Sequence, residues 1–345
     1  MGGIRTHVSH SSGSRPPAAF LPTHRRQPAG LCSVQGLRAD QGFRVRGLAS
    51  ALPHPVVSGV PDGRRSAGGA VPRPAQPVGQ GWLAERLQGR YEPVLVILSP
   101  PRCGSTAVAR SFWQHPLFGW YLHEPYDQVY HRGGNWMAVD HAASRPVELN
   151  ALTAGGSGGC GGTAAGNGLI VKEMTFQVGS MLPELMMAAT LPVVVTVRDP
   201  RLAIASRMRQ RAAAGQDPGF PPVESGWGDL VAGLAAARAR RIPYVLVEVT
   251  RLRAQPGLVL PALCERLGLQ FTPDMTSWPS LGDLSLGNLE EQRHWYSRVL
   301  RSTGFERPDE EIPDLDAFPA GDARAHVASC LDIYREILTD PFLVG

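Results

Sequence analysis

The sequence predicts an α/β protein built around a parallel sheet. Three observations lead there. From about residue 81, short β-rich runs alternate with stretches of helical period, the pattern of parallel strands joined by helices. The run at 94–98 is apolar without a break, as a strand buried on both faces must be. Of 345 residues, 43% are hydrophobic and 19% charged, which suits a globular chain with a sizeable core.

The elements follow in order. Residues 94–98 are the first strand, and 105–114 the helix after it. Residues 119–122 form a second, weaker strand. Residues 169–172 form a third, followed by a helix near 179–189. The fourth strand, 193–197, leads into a helix from about Pro200. A helix over 226–240 precedes the fifth strand at 244–249. Further helices are expected at 257–267, 289–303 and near 323–338. The longest apolar stretch runs from Val178 to Val197, but Pro183, Glu184 and Pro192 divide it into a helix and a strand. No membrane span is expected.

Two segments stand apart from this pattern. Residues 1–80 hold twelve Gly, ten Pro and ten Arg, with two Asp and no Lys or Glu. Such a segment buries too little apolar surface to offset its ordering entropy. It is expected to be a disordered leader, or an artefact of an upstream start codon, with the fold occupying 81–345. It has no continuous apolar run of the kind a secretory signal carries. It also carries a charge of +8 in a chain whose net charge is +4. The basic character therefore belongs to the leader and does not indicate a nucleic-acid-binding face. Residues 154–168 hold eight Gly in fifteen and read as a flexible surface insertion before the third strand.

The five cysteines, Cys32, Cys103, Cys160, Cys264 and Cys330, are scattered and odd in number, with no CxxC pair. Neither a zinc site nor a disulfide framework is indicated, and a reducing, cytoplasmic setting is the simplest expectation. Lys172 is the only lysine, so any lysine chemistry happens there.

The most informative segment joins the first strand to its helix. The strand ends near Ser99, Gly104 makes a tight loop, and Ser105 or Thr106 is expected to cap the helix. A helix N-terminus presents free N–H groups and a partial positive charge, which attract a phosphate. Arg102 adds a full charge and a fork of donors, and Ser105 and Thr106 add hydroxyls. Familiar anion loops do not fit. A Walker A loop needs GxxxxGK(S/T), and the chain has no Gly-Lys pair. A dinucleotide fingerprint needs three glycines where this loop has one. A tyrosine-phosphatase loop needs five residues between Cys and Arg, whereas six separate Cys103 from Arg110.

Pro101-Arg102-Cys103-Gly104-Ser105-Thr106 instead resembles the 5′-phosphosulfate loop of sulfotransferases that use PAPS, 3′-phosphoadenosine 5′-phosphosulfate. That loop reads PKSGTT or PRSGST, and Cys103 stands where the family has Ser. The second family signature is a strand running into Arg-Asp-Pro, with a Ser eight residues after the Arg. Here residues 193–197 run into Arg198-Asp199-Pro200, and Ser206 follows. Leu263–Gly268, Met275–Trp278 and the segment from His294-Trp295-Tyr296 to Phe305 resemble a bacterial sulfotransferase-like subfamily.

The resemblance implies a three-layer α/β/α, P-loop-like sulfotransferase fold. It implies sulfuryl transfer from PAPS to a hydroxyl or amine of a small molecule, with PAP, the 3′,5′-bisphosphate, as product and no metal. Arg102, Cys103, Gly104, Ser105 and Thr106 would bind the 5′ end of the donor, and Arg198 with Ser206 the 3′-phosphate. Arg102 and Lys172 would stabilise charge on the leaving group and the sulfuryl oxygens. The steroid-type enzymes take their base from a Lys-Thr-His segment, which here reads Lys172-Glu173-Met174. The base must then come from elsewhere. Glu124, in His123-Glu124-Pro125-Tyr126, resembles the glutamate of trehalose-type bacterial sulfotransferases and is the favoured candidate, ahead of Glu173 and His123. The acceptor side is expected from loops near 126–168 and 211–225. Other readings are a non-catalytic PAP-binding module, a P-loop-like phosphotransferase, and a pyridoxal-phosphate enzyme on Lys172, in which Arg198 and Ser206 have no role.

Overall fold

The computed structural model describes residues 82–132, 146–153, 166–281 and 293–344. The expected leader and residues 154–165 of the glycine-rich insertion lie outside the described residues. Gly168, the last residue assigned to that insertion, already begins a strand.

The described residues form, in chain order, α1 (Trp82–Gln88), β1 (Val94–Ser99), α2 (Ser105–Trp113), β2 (Phe118–His123), α3 (Asp127–Arg132), β3 (Val147–Glu148) and α4 (Leu149–Thr153). Then come β4 (Gly168–Met174), α5 (Thr175–Val178), α6 (Leu182–Met187), β5 (Val193–Val197), α7 (Pro200–Ala213) and α8 (Trp227–Arg240). The chain continues with β6 (Tyr244–Glu248), α9 (Val249–Ala254), α10 (Pro256–Leu267), α11 (Arg293–Arg301), α12 (Asp322–Ile337) and β7 (Leu343–Val344). The strands make one sheet in the order β3-β2-β4-β1-β5-β6-β7.

The neighbouring pairs are parallel except at one edge, where β3 pairs antiparallel to β2 through Trp120 with Glu148 and Tyr121 with Val147. The expected parallel sheet is therefore mixed at that edge. β3 has only two residues, too few for a hydrophobic period to reveal. The strand expected to end at residue 249 stops at Glu248, whose carboxylate accepts from Thr250 N and Arg251 N and caps α9.

The strand alternation explains the unbroken apolar runs. Val94, Val96 and Leu98 pack into one core, and Leu95 and Ile97 into the other. The first core is closed by α1, α6, α8 and α12, with Leu83, Leu185, Trp227 and Val327 among its members. The second is closed by α2, α10 and α11, with Phe112, Leu263 and Leu300. The result is a three-layer α/β/α fold.

This topology places the site. β1 lies between β4 and β5. The helix after β1 packs on one face of the sheet, while Ile204 of the helix after β5 packs on the other. A crevice opens where connections diverge in this way, outside the carboxyl ends of the strands. The turns after β1 and β5 and the end of β4 meet there.

Candidate active site

The turn after β1 is held in an unusual backbone shape. Arg102 and Gly104 both have positive φ, 64° and 73°. Gly104, not Ser105 or Thr106, is the N-cap of α2, and no side chain caps that end. Ser105 is engaged elsewhere, accepting from the Ser99 hydroxyl at 2.7 Å. A Cβ added at Gly104 would come 2.5 Å from Cγ1 of Val249. Gly104→Ala is expected to destabilise the fold by about 1–3 kcal/mol through this backbone strain and contact. Equal urea midpoints for variant and wild type would show that the turn tolerates a Cβ.

One pocket gathers most of the residues singled out from the sequence. Arg102, Gly104, Ser105, Thr106, Lys172, Arg198 and Ser206 all line it. Arg102 donates through Nε to the Ser206 hydroxyl at 3.3 Å and through a terminal nitrogen to Trp295 O at 2.9 Å. Asp199 caps α7 by accepting from Arg201 N at 2.9 Å, and Pro200 opens its first turn. The Arg-Asp-Pro run thus ends a strand, caps a helix and leaves Arg198 facing the pocket. Arg198 is 7% exposed, and its Nε is buried with no hydrogen-bond partner.

Cys103 does not line the pocket. It is fully buried, its thiol donates to Pro101 O at 3.7 Å, and burial pushes that thiol up to about 12. Its side chain packs the turn rather than facing the pocket.

Lys172 and Glu124 form a buried ion pair at the end of β4. The Tyr296 hydroxyl donates to the same Glu124 oxygen, and the Lys172 ammonium lies 5.7 Å from the Tyr296 ring centroid. Gln177 Nε2 reaches the other Glu124 oxygen at 3.4 Å. Burial alone would raise Glu124, but the Lys172 charge beside it wins and holds the carboxyl down to about 2. Lys172 and Tyr296 line the pocket. Glu124 stands behind them.

The other two base candidates differ. Glu173 follows Lys172 in the strand and so projects to the opposite face of the sheet. Both its oxygens are taken by backbone, accepting from Tyr126 N at 2.8 Å and Met174 N at 2.7 Å. Burial, and then the Glu124 charge, push it well above the usual carboxylate range. His123 lies on the Lys172 side, with Nδ1 hydrogen-bonded to the Tyr121 hydroxyl and Nε2 3.5 Å from Glu124 Oε1. Burial lowers it to about 3, so the imidazole is neutral at neutral pH.

Three residues of the site were not singled out by sequence reasoning for a role there. Tyr296 appeared only in a helical segment with no assigned chemistry. Arg253 and Glu310 carry no motif, yet Glu310 bridges Arg198 and Arg253 across the pocket, at 3.1 Å to each. Arg110, relevant to the discarded phosphatase reading, points away from the turn. Its guanidinium donates to Val299 O, to Leu300 O at 3.1 Å, to Ser302 O at 3.4 Å and to Pro279 O at 2.6 Å. It thereby ties the end of α11 to α2. Burial lowers Arg110 to about 10, which leaves it a cation at neutral pH.

Among the described residues, no three His, Cys, Asp or Glu side chains gather as metal ligands would, and no helix is long and apolar enough to cross a membrane.

The family model described as a sulfotransferase domain matches residues 94–323. No curated protein matches the chain. Among solved structures, the chain is similar to the sulfotransferase domain of the olefin synthase of Synechococcus PCC 7002. The two are 18% identical, the match covers 71% of this chain and 95% of that one, and the TM-score is 0.39.

Proposed function

The chain belongs to the sulfotransferase-domain family, and on that premise we propose that it moves a sulfuryl group from PAPS to a hydroxyl or amine of a small-molecule acceptor. The observation that carries this reading is the pairing of two anion anchors in one pocket. The α2 N-terminus with Arg102 stands at the end of β1, Arg198 at the start of the turn after β5, and Ser206 in the second turn of α7. PAPS carries anionic groups at both its 5′ and 3′ positions, which such a pair suits. The uncapped end of α2 and the partnerless Arg198 Nε are donors of the kind such groups need.

In the proposed mechanism Arg102 and the first N–H groups of α2 hold the 5′-phosphate and stabilise charge on it as PAP leaves. Lys172 meets the sulfuryl oxygens. The bond from sulfur to the bridging phosphate oxygen breaks as the bond from the acceptor oxygen or nitrogen to sulfur forms. The acceptor proton goes to Glu124, which the acceptor reaches once Lys172 and Tyr296, standing in front of it, give way. Lys172 couples these events. While it pairs with Glu124, the carboxylate is a weak base. When Lys172 turns to the sulfuryl oxygens, Glu124 loses its main counter-charge, and burial then raises its proton affinity. The base is strengthened only with the donor in place.

The ties from Lys172 and Tyr296 to Glu124 also favour a second reading, in which the pocket binds PAP without turnover. Calorimetric titration with PAP, with AMP and ATP as controls, tests what both readings share. PAP should bind, and AMP weakly or not at all. Arg198→Ala removes a charge-assisted contact worth about 1.5–3 kcal/mol, so PAP affinity should fall by about 10- to 150-fold. A variant that binds PAP as well as wild type would remove Arg198 from the 3′ subsite.

A further inference from the structure

The anion subsite at Arg198 already holds an anion from the protein itself. Glu310 Oε1 lies 3.1 Å from a terminal nitrogen of Arg198 and 3.4 Å from Nη1 of Arg253, and Oε2 lies 3.1 Å from the same Nη1. All three residues line the pocket. The arrangement is incomplete in two ways. Two guanidinium charges face one carboxylate charge. Arg198 Nε, buried, has no acceptor, and Arg253 engages both carboxylate oxygens while Arg198 shares only Oε1. A phosphate monoester has three terminal oxygens and close to two negative charges at neutral pH. It could serve both guanidinium groups and the orphaned Nε.

The partners differ in how readily they leave. The Glu310 side chain is 22% exposed, against 8% for Arg198 and 13% for Arg253. The carboxylate can return to water, whereas the arginines are fixed in the wall. Glu310 also sits in the irregular stretch 305–314, outside any helix or strand. That stretch is fastened near Glu310 by Arg253, which donates to Glu306 O at 2.8 Å and Arg307 O at 3.3 Å. A swing of Glu310 therefore breaks no backbone ladder.

We propose that Glu310 is a displaceable internal counter-anion: it fills the 3′-phosphate subsite of the free protein, is expelled when the donor binds, and returns as PAP leaves. Arg253 is then a second cation for that phosphate. The inference rests on the donor reading above, in which Arg198 faces the 3′-phosphate. Its consequence is weaker holding of PAP, because the protein's own carboxylate competes for the same arginines.

The test compares the full-length wild type with Glu310→Gln and Glu310→Ala, both checked for folding by thermal unfolding, in calorimetric titrations with PAP and AMP. AMP lacks the 3′-phosphate and serves as the internal reference. PAP should bind both variants about 5- to 10-fold more tightly than wild type, with AMP unchanged. PAP binding that is unchanged or weaker in the variants, while wild type still prefers PAP over AMP, would overturn the role of Glu310 and leave the donor reading standing. A wild type that treats PAP and AMP alike would overturn the donor reading, and this inference with it.

Discussion

Arg110→Ala is expected to lower the stability of the protein by about 3–5 kcal/mol and to loosen one wall of the pocket. Arg110 is fully buried and sits on α2, one turn beyond the residues that face the pocket. Its guanidinium serves four backbone carbonyls, those of Pro279, Val299, Leu300 and Ser302. Val299, Leu300 and Ser302 lie at or just beyond the end of α11, where carbonyls have no partner within the helix, and Pro279 lies in the segment before that helix. Truncation takes from Pro279 O and Ser302 O their guanidinium donor, while Leu300 O keeps Leu281 N at 2.8 Å and Val299 O keeps the Ser302 hydroxyl at 2.8 Å. Each buried acceptor left unpaired costs about 1–3 kcal/mol. The stacking on Trp278, at 5.3 Å from the ring centroid, is lost as well. The same helix carries Trp295 and Tyr296 into the pocket, so the damage should reach ligand binding. Urea unfolding and PAP calorimetry on one preparation would read both effects. A shift in neither would mean that α11 is held by its apolar face alone.

Glu124→Gln is expected to slow sulfuryl transfer by about 10²- to 10⁴-fold, the range for loss of a positioned general base. The substitution is nearly isosteric, and the amide oxygen can still accept from Lys172 and Tyr296. The fold and the two anion anchors should therefore survive, and PAP affinity should change little. Transfer of radiolabel from PAPS to a panel of simple phenols, alcohols and amines would supply the rate, and calorimetry the affinity. Turnover equal to wild type would remove Glu124 from the chemistry. A large loss of PAP affinity would instead make Glu124 a support for Lys172 and the anchors.

The fold was legible wherever a strand is buried on both faces. Residues 94–98 and 193–197 are too apolar and too short to be anything but interior strands, and each runs into a turn that reads as an anion anchor. The two-residue strands β3 and β7 and the one-turn helices α4 and α5 have no period to detect. At the site, residues local to a strand end were legible, because strand, turn and helix follow one another in sequence. Tyr296, Arg253 and Glu310 come together only through long-range packing. Glu310 lies more than a hundred residues from Arg198, and neither carries a sign of the other. The expected hydroxyl cap at Ser105 or Thr106 failed for a local reason: the turn needs positive φ at Gly104, and that residue becomes the cap. Glu173 could be separated from Lys172 by strand alternation alone, which sends adjacent side chains to opposite faces.

The solitary lysine has a practical consequence. Lys172 is 1% exposed, and it lines the pocket. Acylating reagents that decorate most proteins across their whole surface find only one side-chain amine in this chain. They can approach it only through the mouth of the pocket, and they can react with it only once it has let go of Glu124. The extent of amine labelling at this position therefore reports how open the pocket is and how free its ammonium, rather than how much surface the protein presents.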